Sequence, residues 1–225
     1  ATDFITNDGS AGRTVSGNLS SALGSDEIVE VSFDGGASWA AATTVGTDWS
    51  LNDNGSHNSN WQIQARVTNT ASQLSGVTDS QNVTLDTSAP AAPTVDTLTT
   101  PSTHPVLSGS ANLTGDDILT VAVNGAVYLV TPVAGQWTLD LGSAVPISGT
   151  LGDFIAGQHY AVTATVTDLA GNSSIDPTSD ELSISAAPTA PTQTVDILSM
   201  SKDSGRFATD FITNDGSAGR TVSGN

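Results

Sequence analysis

Residues 160–166 have the sequence Tyr160-Ala-Val-Thr-Ala-Thr-Val166, in which larger apolar side chains alternate with small or polar ones. Residues 28–33 (Ile-Val-Glu-Val-Ser-Phe) and 61–67 (Trp-Gln-Ile-Gln-Ala-Arg-Val) show the same period of two. This spacing puts apolar side chains on one face of a β-strand. Turns rich in Gly, Asn and Asp separate the runs, and no stretch has the spacing of an amphipathic helix. The sequence therefore predicts an all-β fold of immunoglobulin-like β-sandwiches arranged end to end as a rod.

Two levels of repetition are present. Residues 1–18 recur without a change at 208–225, which indicates that the chain is one period of a longer tandem array. Inside that period, residues 29–36 (Val-Glu-Val-Ser-Phe-Asp-Gly-Gly) resemble 119–126 (Leu-Thr-Val-Ala-Val-Asn-Gly-Ala). The same offset, within a few residues, makes Trp49 and Trp137 equivalent. Each inner unit is about a hundred residues long, the size of one immunoglobulin-like sandwich.

Two linkers with paired prolines, at residues 85–93 and 185–191, set the expected domain boundaries. Prolines flanked by small residues favour extended, semi-rigid connections. The expected domains are a first sandwich that lacks its opening strand (1–88), a complete second sandwich (89–187) and the beginning of the next repeat (188–225). Neighbouring repeats of the same chain are therefore the expected partners.

The last segment contains residues 194–200 (Thr-Val-Asp-Ile-Leu-Ser-Met), which match an opening strand that residues 1–88 lack. In this chain, the tail of one molecule is therefore predicted to complete the first sandwich of the next, by head-to-tail strand complementation.

The charge balance excludes several classes of partner. The chain has 5 Lys and Arg residues against 23 Asp and Glu residues, a net charge of −18. Such a surface repels nucleic acid and anionic lipid but suits hard divalent cations. The chain has no cysteine, which excludes disulfides, thiol catalysis and cysteine-bound zinc. No apolar run approaches the roughly 20 residues of a membrane helix, so no membrane insertion is expected in this segment.

Strand polarity predicts where acidic loops meet. In a seven-stranded sandwich, the loops of residues 115–117 and 168–172 face the preceding linker, and the start of the first sandwich approaches the same junction. Carboxylates gathered there repel one another unless a cation neutralises them, and calcium takes six to eight oxygens in irregular geometry. The predicted calcium ligands are Asp3, Asp8, Asp86, Asp116, Asp117, Asp168 and Asn172. The alternative is that they are ordinary turn residues.

Other residues have simpler interpretations. Trp39 and Trp61 have no counterpart in the other unit, so packing at the sheet ends competes with a sugar-stacking role. The three histidines share no spacing with a Ser/Asp pair, so neither a catalytic triad nor a zinc site is predicted. Residues 52–60 have the composition of a calcium loop without the closing Glu of an EF-hand, which favours a solvated loop. No enzyme activity is expected.

Four stretches carry a resemblance to a known family: residues 31–39 (Val-Ser-Phe-Asp-Gly-Gly-Ala-Ser-Trp), 166–172 (Val-Thr-Asp-Leu-Ala-Gly-Asn), 85–90 (Leu-Asp-Thr-Ser-Ala-Pro) and 203–215. Together they resemble the bacterial immunoglobulin-like tandem repeats of large RTX-type, type I-secreted surface adhesins and biofilm-associated proteins. The resemblance implies a non-enzymatic extender, or stalk, on the surface of a Gram-negative bacterium. It also implies that calcium at domain junctions stiffens the stalk, which projects a distal binding domain. The alternative is a module that contacts glycan, protein or ice directly.

Overall fold

The computed structural model describes residues 3–201, 207, 213–214, 216–219 and 221–224. Those residues form strands and connecting turns, and none of them is in a helix. It follows that no membrane-spanning helix is found in the described part of the chain. The predicted all-β class is confirmed.

The first sandwich is built by strands from the first 85 residues. They are β1 (Ile5–Thr6), β2 (Arg13–Asn18), β3 (Glu27–Ser32), β4 (Ala40–Ala41), β5 (Thr43–Val45), β6 (Asp48–Asp53), β7 (Trp61–Asn69), β8 (Leu74–Ser75) and β9 (Asp79–Leu85). One sheet has the order β1-β9-β7-β3-β4, with β8 paired to β7, and the other has the order β2-β6-β5. All pairings are antiparallel except that of β1 with β9.

The core of the first sandwich is small. Its buried apolar side chains are Val29, Val31, Ile63 and Val83, and partly buried apolar side chains pack against them. Val29 and Val31 lie two positions apart on β3, as the alternating pattern of residues 28–33 predicts.

The second sandwich is built by strands that follow the first linker. They are β10 (Thr94–Val95), β11 (Leu98–Thr100), β12 (Val106–Ser110), β13 (Ile118–Val123), β14 (Ala126–Val130), β15 (Gln136–Asp140), β16 (Ser148–Gly149), β17 (His159–Tyr160), β18 (Val162–Thr167), β19 (Ser173–Ile175) and β20 (Leu182–Ile184). The largest sheet has the order β16-β14-β13-β18-β19. The smaller sheets are β10-β12-β15 and β11-β20-β17.

All three of these sheets contribute to one large core. Its cluster contains 18 buried apolar residues, against four in the first sandwich. On β18, Val162, Ala164 and Val166 are each at most 1% exposed, whereas Thr163 between them is exposed. Burying apolar area is the main stabilising term in folding, so the second sandwich is expected to be the more stable of the two.

Two hairpins connect neighbouring strands. Asn124 and Gly125 join β13 to β14 with φ of 44° and 90°, the left-handed pair that a tight hairpin turn requires. Between β3 and β4, the Asp34 carboxylate accepts hydrogen bonds from Ser38 Oγ and Ser32 Oγ, at 2.6 and 2.7 Å. Those bonds lower the pKa of Asp34 from 3.8 to about 2. Both turns serve a structural purpose.

The pairing of β2 in the first sandwich differs from that of its counterpart β12 in the second. In the second sandwich, β12 lies between β10 and β15. Its counterpart in the first sandwich, β2, pairs with β6 alone among the described residues. One edge of β2 is therefore open where β10 covers β12.

The C-terminal part of the chain forms a compact unit of its own. Residues 1–186 make one unit and residues 187–225 the other. In the second unit, β21 (Ile197–Met200) pairs with β22 (Val222–Gly224) in antiparallel register. The domain boundaries drawn from the prolines stay predictions, because residues 1–186 include both sandwiches.

Candidate functional site

The turn of residues 168–172 joins β18 to β19 and closes on itself. The backbone N–H of Asp168 donates to the Asn172 carbonyl at 3.0 Å, and the Asn172 N–H donates to Asp168 Oδ1 at 2.8 Å. Gly171 has φ of 93°, a left-handed conformation that glycine adopts without strain. The turn therefore holds the side chains of Asp168 and Asn172 in fixed positions.

The Asn172 amide links this turn to the preceding linker. Its Nδ2 donates both to the backbone carbonyl of Asp86 and to Asp168 Oδ2, each at 2.8 Å. Asp86 is itself held by β1, because its N–H donates to the Thr6 carbonyl at 2.9 Å. One amide group thus connects the linker residue that follows β9 to a turn of the second sandwich.

A second contact lies four residues further along the linker. Ser174 Oγ, on β19, donates to the Pro90 carbonyl at 2.7 Å. Since proline fixes its own φ, the bonds at Asp86 and Pro90 restrict the linker at both ends of a short segment. We call the set Asp86, Pro90, Asp168, Asn172 and Ser174 the junction site.

The electrostatics of the junction site favour a charged Asp168. Its hydrogen bond with the Asn172 side chain, followed by the bond from the Asn172 N–H, lowers the pKa of Asp168 below its usual value, although partial desolvation opposes this. The carboxylate is therefore anionic at neutral pH and accepts two hydrogen bonds from Asn172.

Three of the seven predicted calcium ligands meet at this site: Asp86 through its carbonyl, Asp168 and Asn172. Three of the other four are engaged in local turns. Asp117 accepts from Thr114, Asp8 accepts from Ser10, and Asp3 accepts from Ile5. Within the described residues, no three acidic or histidine side chains lie close enough to hold a metal ion. Calcium binding here stays a prediction.

A buried ionic cluster lies where the sequence predicted a solvated loop. Asp53 is 1% exposed, and its carboxylate contacts Arg13 Nη1 at 2.7 Å and His57 Nε2 at 2.8 Å. The solvated-loop interpretation is wrong for this residue. Asp53 follows Trp49 and Leu51 at intervals of two on β6, so the strand period alone places it on the core-facing side.

The two unmatched tryptophans are covered by cations. Arg66 lies over the ring of Trp39 at 3.8 Å, and the Trp39 indole N–H donates to the Gly36 carbonyl at 3.0 Å. Trp61 stacks on His57 with ring centroids 4.2 Å apart, and Arg13 lies 4.7 Å from its ring centre. These contacts favour the packing role over a sugar-stacking platform.

Comparisons with known proteins find similar structures but no matching sequence family. No protein-family model matches the chain, and no curated protein matches it in sequence. One similar structure comes from a 1.5-MDa bacterial ice-binding adhesin and concerns its retention at the host cell surface. It is 18% identical to this chain, with a TM-score of 0.40, and the match covers 87% of this chain and 64% of that one. A tetra-tandem repeat from the extending region of a large adhesion protein is 18% identical with a TM-score of 0.31, covering 88% and 50%. The human desmocollin-1 ectodomain is 12% identical with a TM-score of 0.25, covering 83% and 36%. All three TM-scores are below 0.5, so the function proposed next rests on contacts within this chain.

Proposed function

We propose that the chain is a non-enzymatic extender segment of a bacterial cell-surface adhesin, which spaces a distal binding domain away from the cell. The observation that carries the proposal is the Asn172 amide, which joins the Asp86 carbonyl to Asp168 across the junction. A spacer has to resist bending where its domains meet. A free linker would give two independently moving domains.

The repeat pattern supports the same function. An exact copy of residues 1–18 at 208–225 suits an array that repeats one structural unit many times. The net charge of −18 keeps such an array soluble and limits contact between parallel stalks. A surface location outside the cell follows from this proposal and is part of it.

Calcium at the junction site is the second part of the proposal. Asp168, which is already anionic, and the Asp86 carbonyl would supply oxygens to the ion. Asn172 would supply its Oδ1 once its amide turns over, which replaces the two hydrogen bonds that its Nδ2 donates to these same groups. Three groups are fewer than the six to eight oxygens that calcium takes. Waters or others of the predicted ligands therefore have to complete the shell. The bound ion would supply positive charge between the two sandwiches.

Melting and small-angle scattering in calcium and in chelator test this part. A ligand that binds only the folded state stabilises it by about 2.7 kcal/mol when its free concentration is a hundred times the Kd. Calcium is therefore expected to raise the Tm and to increase the radius of gyration measured by scattering. Asp168→Asn keeps the shape of the side chain and removes its charge, so this variant should lose the calcium response. Identical melting and scattering in calcium and chelator would refute calcium stiffening.

A direct binding module is the other candidate function. The aromatic residues that would carry sugar stacking, Trp39 and Trp61, are occupied by Arg66, Arg13 and His57. No feature of the described residues favours this candidate over the extender.

A further inference from the structure

The chain contains two Asn–Gly pairs, at residues 54–55 and 124–125. In such a pair, the backbone nitrogen of the glycine can attack the side-chain amide carbon of the asparagine, because glycine has no Cβ to hinder the approach. The two pairs have the same sequence but lie in different surroundings. The structure around each pair therefore decides which asparagine reacts.

Residues 54–56 form a short exposed loop between two anchored residues. On one side, the buried Asp53 ends β6. On the other side, the backbone N–H of His57 donates to the Gly9 carbonyl at 2.7 Å. The loop is thus held at both ends, while its own three residues are open to water.

The Gly55 nitrogen lies next to a proton acceptor. Its N–H donates to Asp53 Oδ1 at 3.0 Å, whereas Asp53 Oδ2 contacts Arg13 and His57. A Cβ on residue 55 would lie 3.2 Å from the same Oδ1, a tight contact that glycine avoids. One carboxylate oxygen is therefore placed on the proton that the Gly55 nitrogen has to lose when it attacks.

The side chain of Asn54 is not held by the rest of the protein. It is exposed, and it makes no hydrogen bond with the described residues. Its amide carbon can therefore turn towards the Gly55 nitrogen, and its amide nitrogen can leave into water.

The side chain of Asn124, in the other pair, is held in place. Asn124 lies in the hairpin between β13 and β14 with φ of 44°. Its Nδ2 donates to the carbonyls of Gly152 and Asp153, at 2.8 and 3.1 Å. Both hydrogen bonds have to break before this nitrogen can leave, which protects the second pair.

We propose that Asn54 is a site of spontaneous deamidation, in which the Gly55 nitrogen attacks the Asn54 side chain and Asp53 Oδ1 takes the proton from that nitrogen. A bond forms between the Gly55 nitrogen and Cγ of Asn54, and the bond from Cγ to Nδ2 breaks. Nδ2 leaves as ammonia with the proton that Asp53 received. Water then opens the cyclic imide at either of its carbonyls, which gives aspartate or isoaspartate at position 54.

Either product changes the first sandwich permanently. Both add a negative charge next to Asp53, and like charges at short range repel each other. Isoaspartate also adds one carbon atom to the backbone between β6 and His57, which shifts the Gly55 N–H relative to its acceptor. A chain that has reacted is therefore expected to have a less stable first sandwich and an unchanged second one.

The test incubates the full chain at neutral pH and follows each asparagine by fragmentation mass spectrometry, which detects the change from amide to acid. We expect Asn54 to convert about tenfold faster than Asn124, whose amide is held by two hydrogen bonds. Asp53→Asn keeps an acceptor for the Gly55 N–H but removes the base, so conversion of Asn54 should slow about tenfold or more. Asp26→Asn makes the same change of charge at an exposed position of the same sandwich, and it should convert like the unchanged chain.

The direction of the Asp53→Asn effect separates proton transfer from a purely structural role. If Asp53 only stabilised the loop, its loss would loosen the loop and leave conversion of Asn54 as fast as before or faster. A slower rate therefore cannot come from partial unfolding. Conversion of Asn54 that is no faster than that of Asn124 overturns the proposal, as does conversion that Asp53→Asn does not slow relative to Asp26→Asn.

Discussion

Trp137→Ala is expected to destabilise the second sandwich by about 3–5 kcal/mol, the usual range for removing a fully buried tryptophan. The side chain is 1% exposed, and its indole N–H donates to the Thr94 carbonyl. The substitution leaves a cavity and an unpaired carbonyl at the strand that closes the sandwich.

Trp49→Ala is the matched variant in the first sandwich. Trp49 is only partly buried, so we expect a smaller loss of about 1–2 kcal/mol. Urea denaturation followed by NMR signals assigned to each sandwich measures the two values separately. Equal losses of stability at the two sites would contradict the difference in burial between Trp137 and Trp49.

Asp53→Ala is expected to lower the free energy of unfolding of the first sandwich by about 3 kcal/mol, because it removes one partner of a buried ion pair. Arg13 and His57 would lose the carboxylate that both contact, and the Gly55 N–H would lose its acceptor at 3.0 Å. Asp53→Asn keeps an acceptor for Gly55 and should lose less. Asp26→Ala, at an exposed position of the same sandwich, is the control.

The same cluster gives the first sandwich an acid-sensitive contribution. Burial alone would raise the pKa of Asp53, but the Gly55 N–H, His57 and Arg13 outweigh it, and the folded pKa lies below the usual 3.8. The stabilisation is therefore full above pH 3.8 and is lost as the pH falls through the lower folded pKa. Urea midpoints measured from pH 6 downward should fall less steeply in Asp53→Asn. Parallel curves would contradict this role.

The strand pattern predicted more of the fold than of the junction. A period of two fixes which side chains face inward, and Val162, Ala164 and Val166 are buried as that rule requires. The equivalence of Trp49 and Trp137 came from the internal repeat, and the two residues occupy matched strands. Repetition and alternation are local properties of a sequence, so they can be recognised without knowing the tertiary structure.

The chemistry of the junction was harder to predict. Asn172 was expected as an oxygen ligand, yet its amide nitrogen donates hydrogen bonds to the Asp86 carbonyl and to Asp168, since an amide can serve as donor or acceptor. Asp117 and Asp8 are engaged by nearby backbone N–H groups, as short acidic side chains in turns commonly are. Acidic residues near a junction therefore do not reveal by themselves which of them converge.

The most direct test of the extender function measures the distance between the two sandwiches. The chain has no cysteine, so spin labels on Thr43→Cys and Thr163→Cys are the sole labelled positions. Both are exposed strand residues, one in each sandwich. Double electron–electron resonance is expected to give one narrow distance distribution, which Asn172→Ala broadens. A distribution already as broad as that of Asn172→Ala would contradict a junction that holds the sandwiches in a fixed arrangement.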